Sequence, residues 1–107
     1  MTADELFETV VASLITQPAV TTAKMFGSPG LRVGKKVFAC LVKGKLVVKL
    51  SQERVGALVA AGEAERFDPG MGRLMKEWAA IAPRSTDAWL GLAQESREFV
   101  AGIAARV

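Results

Sequence analysis

Two dipeptides constrain this chain most: Gly34-Lys35 and Lys43-Gly44. Each separates short β-prone runs, which the pattern places at residues 31–33, 36–42 and 45–50. Two-residue loops between such runs impose antiparallel hairpins. Glycine in the first loop position, at Gly34, suits a type II′ turn, and Gly44 can supply the positive φ of a tight or bulged turn. If Lys43-Gly44 is a two-residue loop, Val42 lies opposite Lys45, Cys40 opposite Val47 and Phe38 opposite Lys49. Opposed residues share a sheet face. One face then holds Val37, Ala39, Leu41, Leu46, Val48 and Leu50 and is wholly apolar. The other holds Phe38, Cys40, Val42 and Val47, rimmed by Lys36, Lys45 and Lys49. That second face is too apolar for plain solvent surface, so a helix or another chain is expected to cover it.

The flanking segments carry helix signals. Thr2 followed three residues later by Glu5 is a capping box, and Leu6, Phe7, Val10, Val11, Leu14 and Ile15 follow at helical spacing. This helix should end before Pro18. Residues 19–26 read as a first strand stopping at Gly27, with Gly27 and Gly30 bracketing a bend around Pro29. Ser51 is placed to cap a second helix over 52–61 that stops at Gly62. Residues 65–73 read as a loop and 74–82 as a fifth strand. Ser85 caps the last helix, with Asp87 in its first turn and Trp89, Leu92, Ala93, Phe99, Val100 and Ile103 as its buried stripe. The expectation is one α+β domain over residues 1–107. It has a mainly antiparallel sheet of about five strands, with an N-terminal, a middle and a C-terminal helix.

The sequence argues against most chemistry. It contains no histidine and no tyrosine, which removes the commonest general base and the commonest metal ligand. Cys40 is the single cysteine. It reads as a small buried apolar residue rather than a nucleophile, and as a sign of a reducing, cytoplasmic setting. Gly30 to Gly34 leaves three intervening residues where a phosphate loop needs four. Lys36 stands where that loop needs Ser or Thr, and a strand follows where it needs a helix. The GMGRLM segment, Gly70 to Met75, lacks the third glycine of a dinucleotide fingerprint. Asp68, Glu77 and Asp87 are scattered, so no metal, cofactor or catalytic residue is expected. Trp78 and Trp89 read as core residues. Lys76, beside Trp78, reads as a surface residue, with a cation–π contact as the alternative. No apolar run approaches the ~18 residues of a membrane span.

Charge is the remaining signal. Residues 1–20 carry Asp4, Glu5 and Glu8 and no base, while residues 21–50 carry seven bases and no acid. Such a field attracts nucleic acid, acidic protein or anionic ligand, although lysines also protect strand edges. The candidate contacts are Arg32, Lys35, Lys36, Phe38, Lys43, Lys45, Val47 and Lys49. Base reading favours Arg, Asn and Gln, and only Arg32 among the hairpin bases qualifies. A protein partner or self-association therefore ranks ahead of nucleic acid, and an enzyme or small-ligand domain ranks last.

The residues also resemble a known family. Met25-Phe26-Gly27, Gly30-Leu31, Lys36-Val37-Phe38-Ala39, Gly44-Lys45-Leu46 and Lys49 look like the N-terminal domain of the TfoX/Sxy competence regulators. So do Gly72-Arg73, Met75, Trp78 and the Trp-containing last helix. YjbR-type proteins are more distantly similar. The resemblance implies an α+β domain of a bacterial cytoplasmic protein, linked to transcriptional regulation of DNA uptake, and it supplies no catalytic residue. Three departures stand out. Gly34-Lys35 replaces the family's Asp-Gly, and Ser28 replaces its second glycine. The full regulators also carry a further C-terminal domain that the sequence to Val107 does not include.

Overall fold

The computed structural model describes residues 2–25, 27–69, 72 and 74–105, and side chains as far as residue 103. Helix α1, Ala3–Leu14, starts at the capping box. The Glu5 backbone N–H donates to Thr2 Oγ1 at 3.1 Å, and the Thr2 N–H donates to Glu5 Oε1 at 3.0 Å. Ala19, at φ 66°, then turns the chain into strand β1, Val20–Met25.

Strands β2 (Ser28–Val33), β3 (Lys36–Val42) and β4 (Lys45–Lys49) follow as consecutive hairpins. In the first turn Gly34 has positive φ (61°) and Lys35 does not, the pattern of a type II′ turn. In the second, Lys43 and Gly44 both have positive φ (51° and 76°), which is the type I′ pattern. The pairing of Val42 with Lys45 and of Cys40 with Val47 is as the loop length requires. Strand β2 begins at Ser28 and runs straight through Pro29, so the expected bend there is absent. Gly30 has a different role, because a Cβ at that position would sit 2.7 Å from the Ala39 carbonyl oxygen. Its missing side chain lets β2 and β3 approach.

Helix α2, Gln52–Ala60, is capped by Ser51, and Gly62 closes it at φ 75° with its N–H on the Val59 carbonyl. Residues 65–67, expected as loop, form strand β5, Glu65–Phe67. Strand β6, Met75–Ile81, inserts between β4 and β5. The sheet therefore has six strands, ordered β1-β2-β3-β4-β6-β5, with every neighbour antiparallel. Helix α3, Thr86–Ala105, starts at Ser85, whose Oγ accepts the Ala88 N–H.

All three helices pack on one face. Leu6, Phe7 and Val10 of α1, Val55 and Leu58 of α2, and Trp89, Leu92 and Val100 of α3 join one core with Leu31, Ala39, Leu46, Val48 and Ile81. Trp89 is fully buried and donates its indole N–H to the Ala82 carbonyl.

One irregularity reassigns side chains between the two faces. Ala39 pairs with Leu31 but Val37 pairs with Arg32, so Phe38 is an extra residue in β3. This bulge breaks the alternation. Phe38 turns into the helix-side core with 0 % exposure, and Val37 moves to the opposite face. The expected placement of Phe38 beside Lys49 on the second face is thus corrected. The displaced backbone still needs a hydrogen bond. Ser96 of α3 supplies it, with its Oγ 2.7 Å from the Phe38 carbonyl oxygen and 2.6 Å from that of Lys49. Replacing Ser96 with Ala removes the single hydroxyl proton that these two carbonyls share and should lower unfolding free energy by about 2 kcal/mol, read from urea denaturation.

Candidate functional site

The sheet face opposite the helix layer carries a second apolar cluster, and α3 reaches its edge where Val100 and Ile103 line a cavity with Met25, Val37 and Trp78. Cys40, Val47, Phe67, Trp78 and Ala80 are buried at its centre, and Met25, Val37, Val42 and Met75 are half-buried around them. Part of the cover comes from the chain's own β5–β6 connection. Asp68, Pro69 and Leu74 line the same cavity of about 440 Å³ as Val42, Val47 and Ala80. Leu74 itself is 59 % exposed.

The eight residues expected to contact a partner do not share one surface. Phe38 lies in the helix-side core, and Val47 is fully buried beneath the second-face cluster. Arg32 donates from Nε to Thr21 Oγ1 at 3.0 Å. Lys45 pairs with Glu65 at 3.2 Å, across β6. Lys49 approaches Glu77 at 3.8 Å and stands 5.6 Å from the centroid of the Trp78 ring. Lys49 is thus a cation–π partner of Trp78, a role that sequence proximity suggested for Lys76. Lys35 and Lys36 sit at one end of the sheet and Lys43 at the other, separated by about 20 Å of strand β3. Among the described residues Lys35, Lys36 and Lys43 have no ion-pair partner.

Sequence reasoning missed Glu65, Phe67 and Glu77 as members of this surface. A three-residue strand such as β5 shows too little alternation to be recognised. Glu77 is marked only by its place beside Trp78.

Cys40 sits at the centre of this face, fully buried in β3 and opposite Val47. Burial pushes its thiol up to about 12, so the nucleophilic thiolate is absent at neutral pH. Among the described residues no three cysteines or carboxylates converge on a point that could hold a metal ion. Nor is any helix among them long and apolar enough to cross a membrane.

A six-stranded antiparallel sheet with three helices on one side defines a two-layer α+β domain. The family model for the TfoX N-terminal domain matches residues 12–99, and the chain belongs to that family. No curated protein matches it. The motifs that carry the resemblance have structural work. Gly27 and Gly44 hold positive φ in turns, and Gly30 permits close strand approach. Phe26 and Arg73 of those motifs, and most of the GMGR segment, lie outside the described residues.

The raised Cys40 pKa has a testable sign. The folded state keeps the thiol proton that an unfolded thiol, near 9.0, gives up. This contribution to stability is full below pH 9 and is lost as pH rises towards 12. Cys40→Ala should flatten that part of the stability–pH curve, and the native thiol should resist alkylation at pH 8 until the chain is unfolded.

Proposed function

We propose that this chain is a non-enzymatic interaction domain serving transcriptional regulation, and that it pairs with a second copy of itself through the sheet face opposite the helix layer. One observation carries the reading. An apolar cluster lies on the face opposite the helix layer, ringed by half-exposed Met25, Val37, Val42 and Met75 and flanked by exposed Leu74, with only the end of α3, at Val100 and Ile103, reaching its Met25–Val37–Trp78 edge. The charges on that face favour a second copy as occupant. A two-fold interface sets one patch against itself, so an unbalanced charge there would repel. Here Lys45 and Lys49 are paired with Glu65 and Glu77, while Lys36 and Lys43 at the ends of β3 border the face without an ion-pair partner among the described residues. Both signs are therefore available for exchange across a dimer axis. The regulatory part of the proposal rests on membership of the TfoX N-terminal domain family. The non-enzymatic part is supported by the burial of the single thiol.

Sedimentation equilibrium from micromolar to near-millimolar concentration should give twice the 11.4 kDa chain mass. The double variant Val42→Asp, Leu74→Asp should be a folded monomer by the same measurement and by circular dichroism. A monomeric parent chain across that range rejects the self-pairing.

The rival is direct DNA or RNA binding through Arg32, Lys35, Lys36, Lys43, Lys45 and Lys49. The unpaired lysines lie at opposite ends of the sheet, and two of the other bases already have glutamate partners. This arrangement favours at most about two phosphate contacts at once. A log–log salt titration with duplex DNA should then show a slope of about −2. A slope steeper than about −5 would favour nucleic acid as the true partner.

A further inference from the structure

The other side of the sheet contains a second, independent feature. The helix layer leaves a groove of about 970 Å³ between α1 and the β1 end of the sheet. Phe7, Val11, Pro29 and Leu41 supply apolar lining, with Ala12 on the helix wall. Asp4 and Glu8 line the helix side. Together with Phe7, Val11 and Ala12 they recur at the three- and four-residue spacing of one helix face. Lys24 and Lys43 line the strand side. No ion pair joins the two sides, and none of these four charges has a partner among the described residues.

The groove is bounded by an edge strand, paired with β2 on one side only. β1 is six residues long and stands at the end of the strand order, and Thr22, Ala23 and Lys24 line the groove. An edge strand of this length presents backbone N–H and C=O groups with no neighbour, a template for another strand. An edge beside an apolar helix–strand groove is the geometry in which an extended peptide adds to a sheet. Backbone bonds then give affinity, and alternate side chains fill the groove.

We infer that this groove binds an extended peptide segment of a partner protein, which adds as a strand to the free edge of β1. Charge complementarity defines the segment. Its inward side chains alternate with outward ones and are apolar over Phe7 and Leu41. An acidic side chain meets Lys24 and Lys43, and a basic one meets Asp4 and Glu8. The inference goes beyond the self-pairing proposed above, because it uses the opposite face; Lys43, in the β3–β4 turn, lines the cavities on both.

The test starts from a phage-displayed library of random peptides selected against the full chain. Synthetic, fluorescently labelled copies of the enriched peptides are then titrated by anisotropy. Enriched peptides should alternate apolar and polar residues and carry both an acid and a base. Ala12→Trp, at an exposed position on the groove wall, should weaken binding at least tenfold. Lys24→Glu with Lys43→Glu should do the same, and exchanging the peptide's acid for lysine should restore binding to that variant. Amide exchange at Thr21 to Lys24 should slow when peptide binds. The dimer-face variant Val42→Asp, Leu74→Asp should bind peptide unchanged, so either idea can fail alone. The inference is overturned if no peptide is enriched. It is equally overturned if the enriched peptides ignore the Ala12 and lysine substitutions, or if β1 exchange is unaffected.

Discussion

The arrangement of both faces depends on one buried hydroxyl. Ser96 sits between the carbonyls of Phe38 and Lys49, at 2.7 and 2.6 Å. The bulge in β3 frees the first of these carbonyls, and the second lies at the last residue of β4. An unsatisfied carbonyl in this core would cost more than an ordinary hydrogen bond contributes. With the hydroxyl in place, α3 is tied to the middle of the sheet and the bulge is tolerated. Phe38 can then fill the helix-side core, and Val37 can join the opposite cluster.

That exchange determines what the second face can offer. Without the bulge, Phe38 would stand among lysines as an aromatic platform. With it, the face presents small and medium apolar groups around Trp78, and its two central lysines are held by glutamates on β5 and β6. An apolar surface whose β4 lysines are paired suits protein contact better than a phosphate backbone, whose recognition depends on free positive charge. The lysines of strands β1 to β4 and their turns that lack an ion pair divide between the two ends of the hairpins. Lys35 and Lys36 lie at one end, and Lys43 with Lys24 meets the acidic side of α1 across a groove at the other. The acid-rich first twenty residues and the base-rich thirty that follow are thus brought face to face across an apolar gap.

Much of the fold was legible because its signals are local. The capping residues Thr2, Ser51 and Ser85 each bond within three residues of themselves. The hairpin at Lys43-Gly44 sets its own register, because two residues at positive φ leave only one close pairing. The candidate site was legible only in part. The lysines and the second apolar face could be read from alternation, but alternation carries no mark of a bulge. Phe38 was therefore assigned to the wrong face. The partners of Lys45 and Lys49 could not be read either, since Glu65 lies in a strand too short to declare itself.

Local chemistry along the chain determined the order of elements, the helix caps, the two tight turns and the absence of a histidine-based site. Tertiary structure alone decided which face Phe38 takes, that β6 inserts beside β4, which lysines are neutralised and where the groove opens. The physical reason is range. Caps and turns close over two to four residues, whereas Ser96 reaches back 58 residues to Phe38 and Lys45 reaches 20 forward to Glu65. Such contacts exist only after the sheet and its helix layer have come together.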